Sequence, residues 1–254
     1  MNQWINFTIQ KRGHLMSNPI QLNLIPGVLC DETLFNKVIP NLNQNIATTR
    51  HSIAHFTSIS DAVDSLNQNI DEPTFLLGFS LGGWVAETYA RKHPNKTLGL
   101  ILVSTPNSPI ESKSEMAMSA VCQQLKNEPR SLENVLNESI KYYFDQSVIG
   151  EIIQEYKSMA TRVGAKSAIA QYQILINQKK RLAAPTDKNL PILLIHGNSD
   201  QRANMAQQEQ LMQIYPQATI TSIAHSGHFV PLEKPQAMAQ AINDFLKTQT
   251  SNQA

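Results

Sequence analysis

The stretch Phe75-Leu76-Leu77-Gly78-Phe79-Ser80-Leu81-Gly82-Gly83-Trp84 packs a strand end, a turn and a helix start into ten residues. Its apolar head stops at Gly78, and its helix-compatible tail begins after Ser80. Between them stands Gly78-x-Ser80-x-Gly82. A serine in so sharp a turn projects its hydroxyl only if the positions two residues to either side lack bulk. Gly83 then lets the following helix pack closely on the sheet. Out of context this spacing fits an ordinary glycine-containing loop. In strand–turn–helix context it marks Ser80 as a nucleophile.

Upstream of the turn, Ile20–Ile25 reads as a strand ended by Pro26-Gly27, and Ile46–Ile53 as a weaker one. Asp31 or Thr33 caps a short helix carrying Leu34, Phe35, Val38 and Ile39. Ser60 is the expected N-cap of a helix through Val63 and Leu66. Thr74–Leu77 enters the turn, Leu81–Lys92 leaves it as a helix that stops before Pro94, and Leu98–Val103 is a buried strand.

Beyond Ser104 the pattern changes. Met116–Leu125, Leu132–Phe144, Ile149–Thr161 and Ala165–Asn177 carry apolar residues at spacings of three and four, punctuated by Pro129, Gly150 and Gly164. Alternation resumes with Ile192–Ile195 as strand, Asn204–Ile214 as helix, Thr219–Ile223 as strand and Pro235–Leu246 as helix. The whole predicts an α/β fold: a mostly parallel sheet flanked by helices, formed by residues 1–105 and 190–254. Residues 106–189 are expected to be an all-helical cap subdomain, since roughly eighty residues are too many for a loop.

The 254 residues are enough for one large domain or two small ones, with a core that needs no cross-links. A formal charge of +1 gives no reason to expect a nucleic-acid partner. Cys30 and Cys122 read as two reduced thiols, which fits a cytoplasmic protein better than a secreted one. No apolar run approaches the ~20 residues that span a bilayer. At the N-terminus, Ile5, Phe7 and Ile9 alternate with polar residues and suggest a short extra strand; the other reading starts the native chain at Met16.

A serine hydroxyl near neutral pH needs a general base and a group to orient that base. Two later strand ends supply them. Asp200 ends the turn His196-Gly197-Asn198-Ser199-Asp200 after Ile192–Ile195, where a carboxylate can orient an imidazole. A turn aspartate that only serves the following helix is the plainer alternative. His228 lies in His225-Ser226-Gly227-His228-Phe229 after the next strand. It is preferred over His225 because Gly227 lets it turn inward over the sheet end. His51, His55, His93 and His196 read as structural.

The Ser80 turn, the Pro26-Gly27 loop, the turn ending at Asp200 and Ser226-Gly227-His228, taken in chain order, resemble the α/β-hydrolase superfamily from about Asn18 to Leu246. The resemblance is to small serine hydrolases and esterases with a helical cap. It implies a Ser80–His228–Asp200 triad that cleaves a small carboxylic ester through an acyl-enzyme, with no metal or organic cofactor. Leu81 starts the helix after the nucleophile and offers one N–H to the oxyanion. The family's second donor falls at Val28, or at Leu29, after a Pro26-Gly27 that replaces the usual His-Gly pair. Leu29, Phe79, Trp84 and Phe229 are the expected substrate contacts. Met116, Tyr142, Tyr143, Phe144, Met159 and Tyr172 are candidate linings from the cap, with core packing as the alternative. The basic cap residues Arg130, Lys141, Arg162, Lys166, Lys179, Lys180 and Arg181 read as a solvated face, with a grip on an anionic substrate tail or a carrier protein as the alternative. The same triad also serves thioesterases, carbon–carbon bond hydrolases and methylesterases of carrier-linked acyl chains. Non-catalytic ligand receptors also use this fold.

Overall fold

The computed structural model describes residues 19–107, 112–178 and 187–251. The proposed N-terminal strand around Ile5, Phe7 and Ile9 lies outside them, as do Lys179, Lys180 and Arg181. Six strands form one parallel sheet in the order β2-β1-β3-β4-β5-β6. They are β1 (Ile20–Ile25), β2 (Ile46–Arg50), β3 (Thr74–Phe79), β4 (Thr97–Val103), β5 (Ile192–Gly197) and β6 (Thr219–Ile223). The α/β class expected from the sequence is the one observed.

Burial follows strand position. Every residue of β3 and β5 is buried, as a strand covered on both faces requires. The edge strands β2 and β6 carry threonines and other polar residues and stay largely accessible. Such polar edges resist pairing with another sheet. Helices α1 (Ile59–Asn69), α2 (Leu81–Lys92), α6 (Met205–Ile214), α7 (Val230–Glu233) and α8 (Pro235–Ser251) flank the sheet. α2 lies against β1, β3 and β4, and α8 against β5 and β6.

The local differences from the sequence reading have simple causes. α1 starts two residues earlier than a Ser60 cap would place it because Ser58, not Ser60, caps it, accepting the Asp61 N–H at 3.1 Å. The Ser60 hydroxyl instead meets Lys92 Nζ at 2.8 Å. β3 runs on to Phe79, since its hydrogen bonding to β4 continues through Phe79 opposite Val103. β2 ends at Arg50, where pairing with Leu24 stops.

Between β4 and β5 the described residues contain helices and no strand. They are α3 (Ser112–Asn127), α4 (Leu132–Tyr143) and α5 (Gly150–Asn177). α5 unites the two helices expected at Ile149–Thr161 and Ala165–Asn177, with a break at Gly164, whose φ of 79° and ψ of 166° are not helical. It packs against α3 and α4. Arg162 Nε pairs with Asp31 Oδ2 at 2.8 Å, and Lys37 with Glu155, tying α5 to the β1–β2 connection. Both pairs are exposed enough to contribute at most about 1 kcal/mol each.

Candidate active site

The strand order reverses between β1 and β3. β1 leads to β2 on one side, while β3 leads to β4 on the other. The carboxyl ends of two such strands leave a crevice between their outgoing loops. Ser80 follows β3 at that point, and Pro26-Gly27-Val28-Leu29 follows β1. Ser80 has φ 53° and ψ −116°, a strained conformation for a residue with a side chain. Its N–H continues the sheet by donating to Val103 O at 2.9 Å, and its carbonyl accepts the Gly83 N–H at 2.9 Å. The neighbouring glycines allow this. A methyl on Gly78 would strike the Gly82 carbonyl, and one on Gly82 would strike the carbonyls of Ile25 and Pro26.

The structure brings the three expected side chains together from the ends of β3, β5 and β6. His228 Nε2 lies 3.1 Å from Ser80 Oγ, and His228 Nδ1 lies 2.9 Å from Asp200 Oδ2. The other oxygen of Asp200 accepts the N–H groups of Arg202 at 2.7 Å and Ala203 at 2.9 Å. Burial pushes the Asp200 carboxyl up. The charge and hydrogen bond of His228, with those two N–H groups, outweigh burial and hold it below its ordinary range. Asp200 therefore stays ionised beside the imidazole. His225, the competitor, is exposed, with φ 53° and its N–H given to Asn198 Oδ1. His196 is buried beneath, and burial pushes its imidazole toward the neutral form.

Around the β1 loop the donors separate. The Leu29 N–H donates to Gln171 Oε1 on α5 at 2.8 Å, so it is already used. Leu29 itself is buried at φ 59° and does not line the cavity at Ser80, which corrects its placement among the substrate contacts. Neither the Val28 nor the Leu81 N–H is engaged among the described residues. Both residues line the cavity.

That cavity has a volume of about 270 Å³. Its walls include Phe79, Trp84 and Phe229 as expected, with the Trp84 indole N–H fixed on Pro106 O at 2.9 Å. Of the helical candidates, Tyr143 and Tyr172 line it; Met118 and Leu175 do so without having been singled out. Met116 is 74% exposed and Tyr142 43% exposed, on outer faces, while Phe144 and Met159 are packed into the core. The Cys30 thiol is fully buried, and burial pushes its titration far up, leaving it unreactive.

Glu233, Gln171 and Arg202 also belong to this site, and the sequence reading passed over them. Glu233 accepts the N–H groups of Gly227 at 2.9 Å, Phe229 at 3.0 Å and Asp145 at 3.0 Å. It therefore grips both sides of His228 and the residues after α4. Burial pushes its carboxyl up, against the lowering by those N–H groups. The His228 N–H donates to Tyr143 O at 2.6 Å, and the Tyr143 ring stacks on the imidazole at 5.6 Å. Gln171 holds the β1 loop as described, and Arg202 lines the cavity beside Tyr143. The readable signal for Glu233 was a lone acid in the apolar run Phe229-Val230-Pro231-Leu232. Gln171 had none. Among the described residues no group of three or more His, Cys, Asp or Glu side chains is placed to hold a metal ion, and no helix is long and apolar enough to cross a membrane.

The family described as serine aminopeptidase, S33, matches residues 41–235. Monoacylglycerol lipase ABHD6 of Mus musculus is 26% identical over 221 residues, which cover 78% of this chain and 64% of the lipase. The chain thus spans less than two thirds of that relative's length. The biotin biosynthesis bifunctional protein BioHC of Cellvibrio japonicus is 23% identical over 245 residues, 92% of this chain and 48% of that protein. Among solved structures, a thermophilic esterase from Thermogutta terrifontis superposes with a TM-score of 0.79 at 21% identity, over 91% of both chains. The enol-lactonase of Burkholderia xenovorans does so with 0.77 at 14% identity, over 92% of this chain and 94% of its own. At these identities the likeness to solved structures speaks for the fold.

Proposed function

The chain belongs to the serine aminopeptidase S33 family and is an α/β-hydrolase, and from that premise we propose that it is a serine esterase acting on small carboxylic esters. The observation that carries this reading is the linear relay Ser80 Oγ to His228 Nε2, and His228 Nδ1 to Asp200 Oδ2, at 3.1 and 2.9 Å. His228 takes the Ser80 proton as the oxygen attacks the ester carbonyl. Asp200 fixes the tautomer with the proton on Nδ1 and stabilises the imidazolium that forms. The free N–H groups of Val28 and Leu81 receive the developing oxyanion; losing one such donor typically costs about 3–4 kcal/mol in the barrier. His228 then protonates the leaving alcohol, and the same imidazole activates water to release the acid.

Helices α3, α4 and α5, within the proposed 106–189 cap, roof this site with Met118, Tyr143, Tyr172 and Leu175. Esters are favoured over thioesters, carrier-linked acyl chains and carbon–carbon bonds by the names of the relatives, which include a lipase and an esterase. The cavity of about 270 Å³ suits a small substrate, being just below the usual ligand-site volumes. Replacing Ser80 by Ala tests the reading. The variant is expected to keep its thermal transition and to lose p-nitrophenyl ester turnover and labelling by a fluorophosphonate probe. Undiminished turnover in that variant would sink the proposal. Tight ligand binding by the parent protein without turnover of any ester, thioester or diketone would favour a ligand receptor on this fold.

A further inference from the structure

Ester cleavage at Ser80 needs no cation on the pocket wall, yet Arg202 stands there beside Tyr143 and His228. Its backbone is fixed by its N–H on Asp200 Oδ1 at 2.7 Å, so the side chain starts from a set position. The guanidinium carbon lies 5.2 Å from the ring centre of Tyr143 and 5.5 Å from that of Tyr142, a spacing for cation–π contact. No carboxylate pairs with it among the described residues, and its Nε is buried without a partner. The acids in adjoining loops are committed elsewhere: Asp200 to His228, and Asp145 to Ser147 and Ser199. Arg202 is half-buried, its Nε is out of water's reach without a partner, and the rest of its guanidinium has no counter-charge among the described residues.

The same wall is rich in donors. Asn204 and Gln207 line the cavity, and their side-chain oxygens already accept the N–H groups of Gln207 and Asn107. What each amide has left to offer is its NH2. Asn204 also caps α6, so the positive end of that helix lies at this wall. Arginine, two amide donors and a helix start on one side of a cavity form a receptor for negatively charged oxygens.

We infer that the substrate carries an anionic oxygen group, a carboxylate or a phosphate, on the part of the ester that faces Arg202. Arg202 holds that group, with Asn204 and Gln207 as supporting donors. The inference rests on the proposed esterase only for the bond that is cleaved; the charge is argued from Arg202 and its neighbours.

Matched pairs of esters test it. Monomethyl glutarate against dimethyl glutarate probes a carboxylate. A short-chain monoacylglycerol phosphate against the corresponding monoacylglycerol probes a phosphate. In one of the pairs the parent protein is expected to favour the charged member by about tenfold or more in kcat/KM, the size of one charge-assisted hydrogen bond. Arg202→Met keeps the stem and removes the charge. Its loss should be about tenfold greater on the charged member than on the neutral one, and the parent's KM for the charged ester should rise with salt. Which pair responds identifies the anion. Equal losses on both members, or a parent enzyme indifferent to charge in both pairs, would overturn the inference.

Calorimetry on the Ser80→Ala protein separates this from a failure of the esterase reading, because it needs no turnover. If no ester is hydrolysed but a charged ester binds Ser80→Ala and not Ser80→Ala/Arg202→Met, the anion site stands and the esterase falls. If neither protein binds a charged ester more tightly than its neutral partner, the anion site falls.

Discussion

The turn at Ser80 and the helices of α3–α5 that face it are held by different kinds of contact. At the turn, backbone meets backbone. Any Cβ on Gly78 or Gly82 would run into a carbonyl, and one on Gly83 into the Thr105 side chain. Among the helices, a Cβ on Gly150 would meet nothing, and Met116 stands 74% exposed. The reacting atoms are thus placed by contacts with no slack, whereas the opposite wall is placed by side chains packing on one another. Substitution at the turn should be all-or-nothing, and substitution among the helices graded.

The largest expected effect lies at the strand ends. In Asp200→Asn the N–H groups of Arg202 and Ala203 keep one oxygen as their acceptor, so the amide NH2 faces His228 Nδ1. The imidazole must then accept at Nδ1 and carry its proton on Nε2, where it can no longer take one from Ser80. Ester turnover should fall by about four orders of magnitude with the fold intact. The pH dependence of stability checks the same residue. The parent's Asp200 carboxyl is held below its ordinary 3.8. Its contribution is therefore complete above that pH and is lost as pH falls through the lower folded value. Urea titrations should show the stability gap between parent and Asp200→Asn shrinking on acidification through that window. A gap that widens there would mean that Asp200 is not stabilised as a carboxylate.

Next comes the turn itself. Gly82→Ala places a methyl against the carbonyls of Ile25 and Pro26, where only backbone can yield. Overpacking of this kind costs about 3 kcal/mol, at the upper end of the usual range. The movement it forces also carries the Val28 N–H away from Ser80, so activity and stability should fall together. A urea midpoint and ester turnover both close to the parent's would show that the turn has slack after all.

The same contrast explains what could be read from the sequence. Contacts without slack demand particular residues, so glycines spaced around Ser80 and a glycine before His228 identified the strand ends in one dimension. The sheet was readable because strands buried on both faces, such as Phe75–Phe79 and Ile192–Ile195, are continuous apolar runs. The cavity wall was not. Apolar spacing along α3, α4 and α5 says that a helix has a buried face, but not whether that face meets the core, like Met159, or the cavity, like Leu175. Polar clamps such as Glu233 and Gln171 act by accepting N–H groups from residues distant in the chain, and any acid or amide in reach would look the same in sequence. Leu29 shows the same limit: its N–H is held by Gln171, 142 residues away, and its side chain is buried off the cavity, and neither is visible in the sequence.

Gly164 is where the contrast meets its sharpest test, because it sits among the helices yet is not free. Nothing lies within 4 Å of the position a Cβ would take, so crowding does not forbid a side chain there. Its torsions do. A φ of 79° with a ψ of 166° belongs to a region that glycine occupies almost alone, and it breaks α5 between the half that meets α4 and the half that carries Gln171, Tyr172 and Leu175. Gly164→Ala should cost about 1–3 kcal/mol, less than Gly82→Ala, either as strain or by straightening the helix. The two outcomes part in the kinetics. Strain alone lowers the urea midpoint and leaves turnover near the parent's. Straightening swings the second half of α5, pulls Gln171 from the Leu29 N–H and moves Tyr172 at the cavity wall, so KM and kcat change together. Gly150→Ala is the control, with open space around it and an ordinary helical start, and should shift stability by no more than about 0.5 kcal/mol. A Gly164→Ala protein as stable and active as that control would mean the break in α5 is a matter of local preference, not a hinge on which the cavity wall depends.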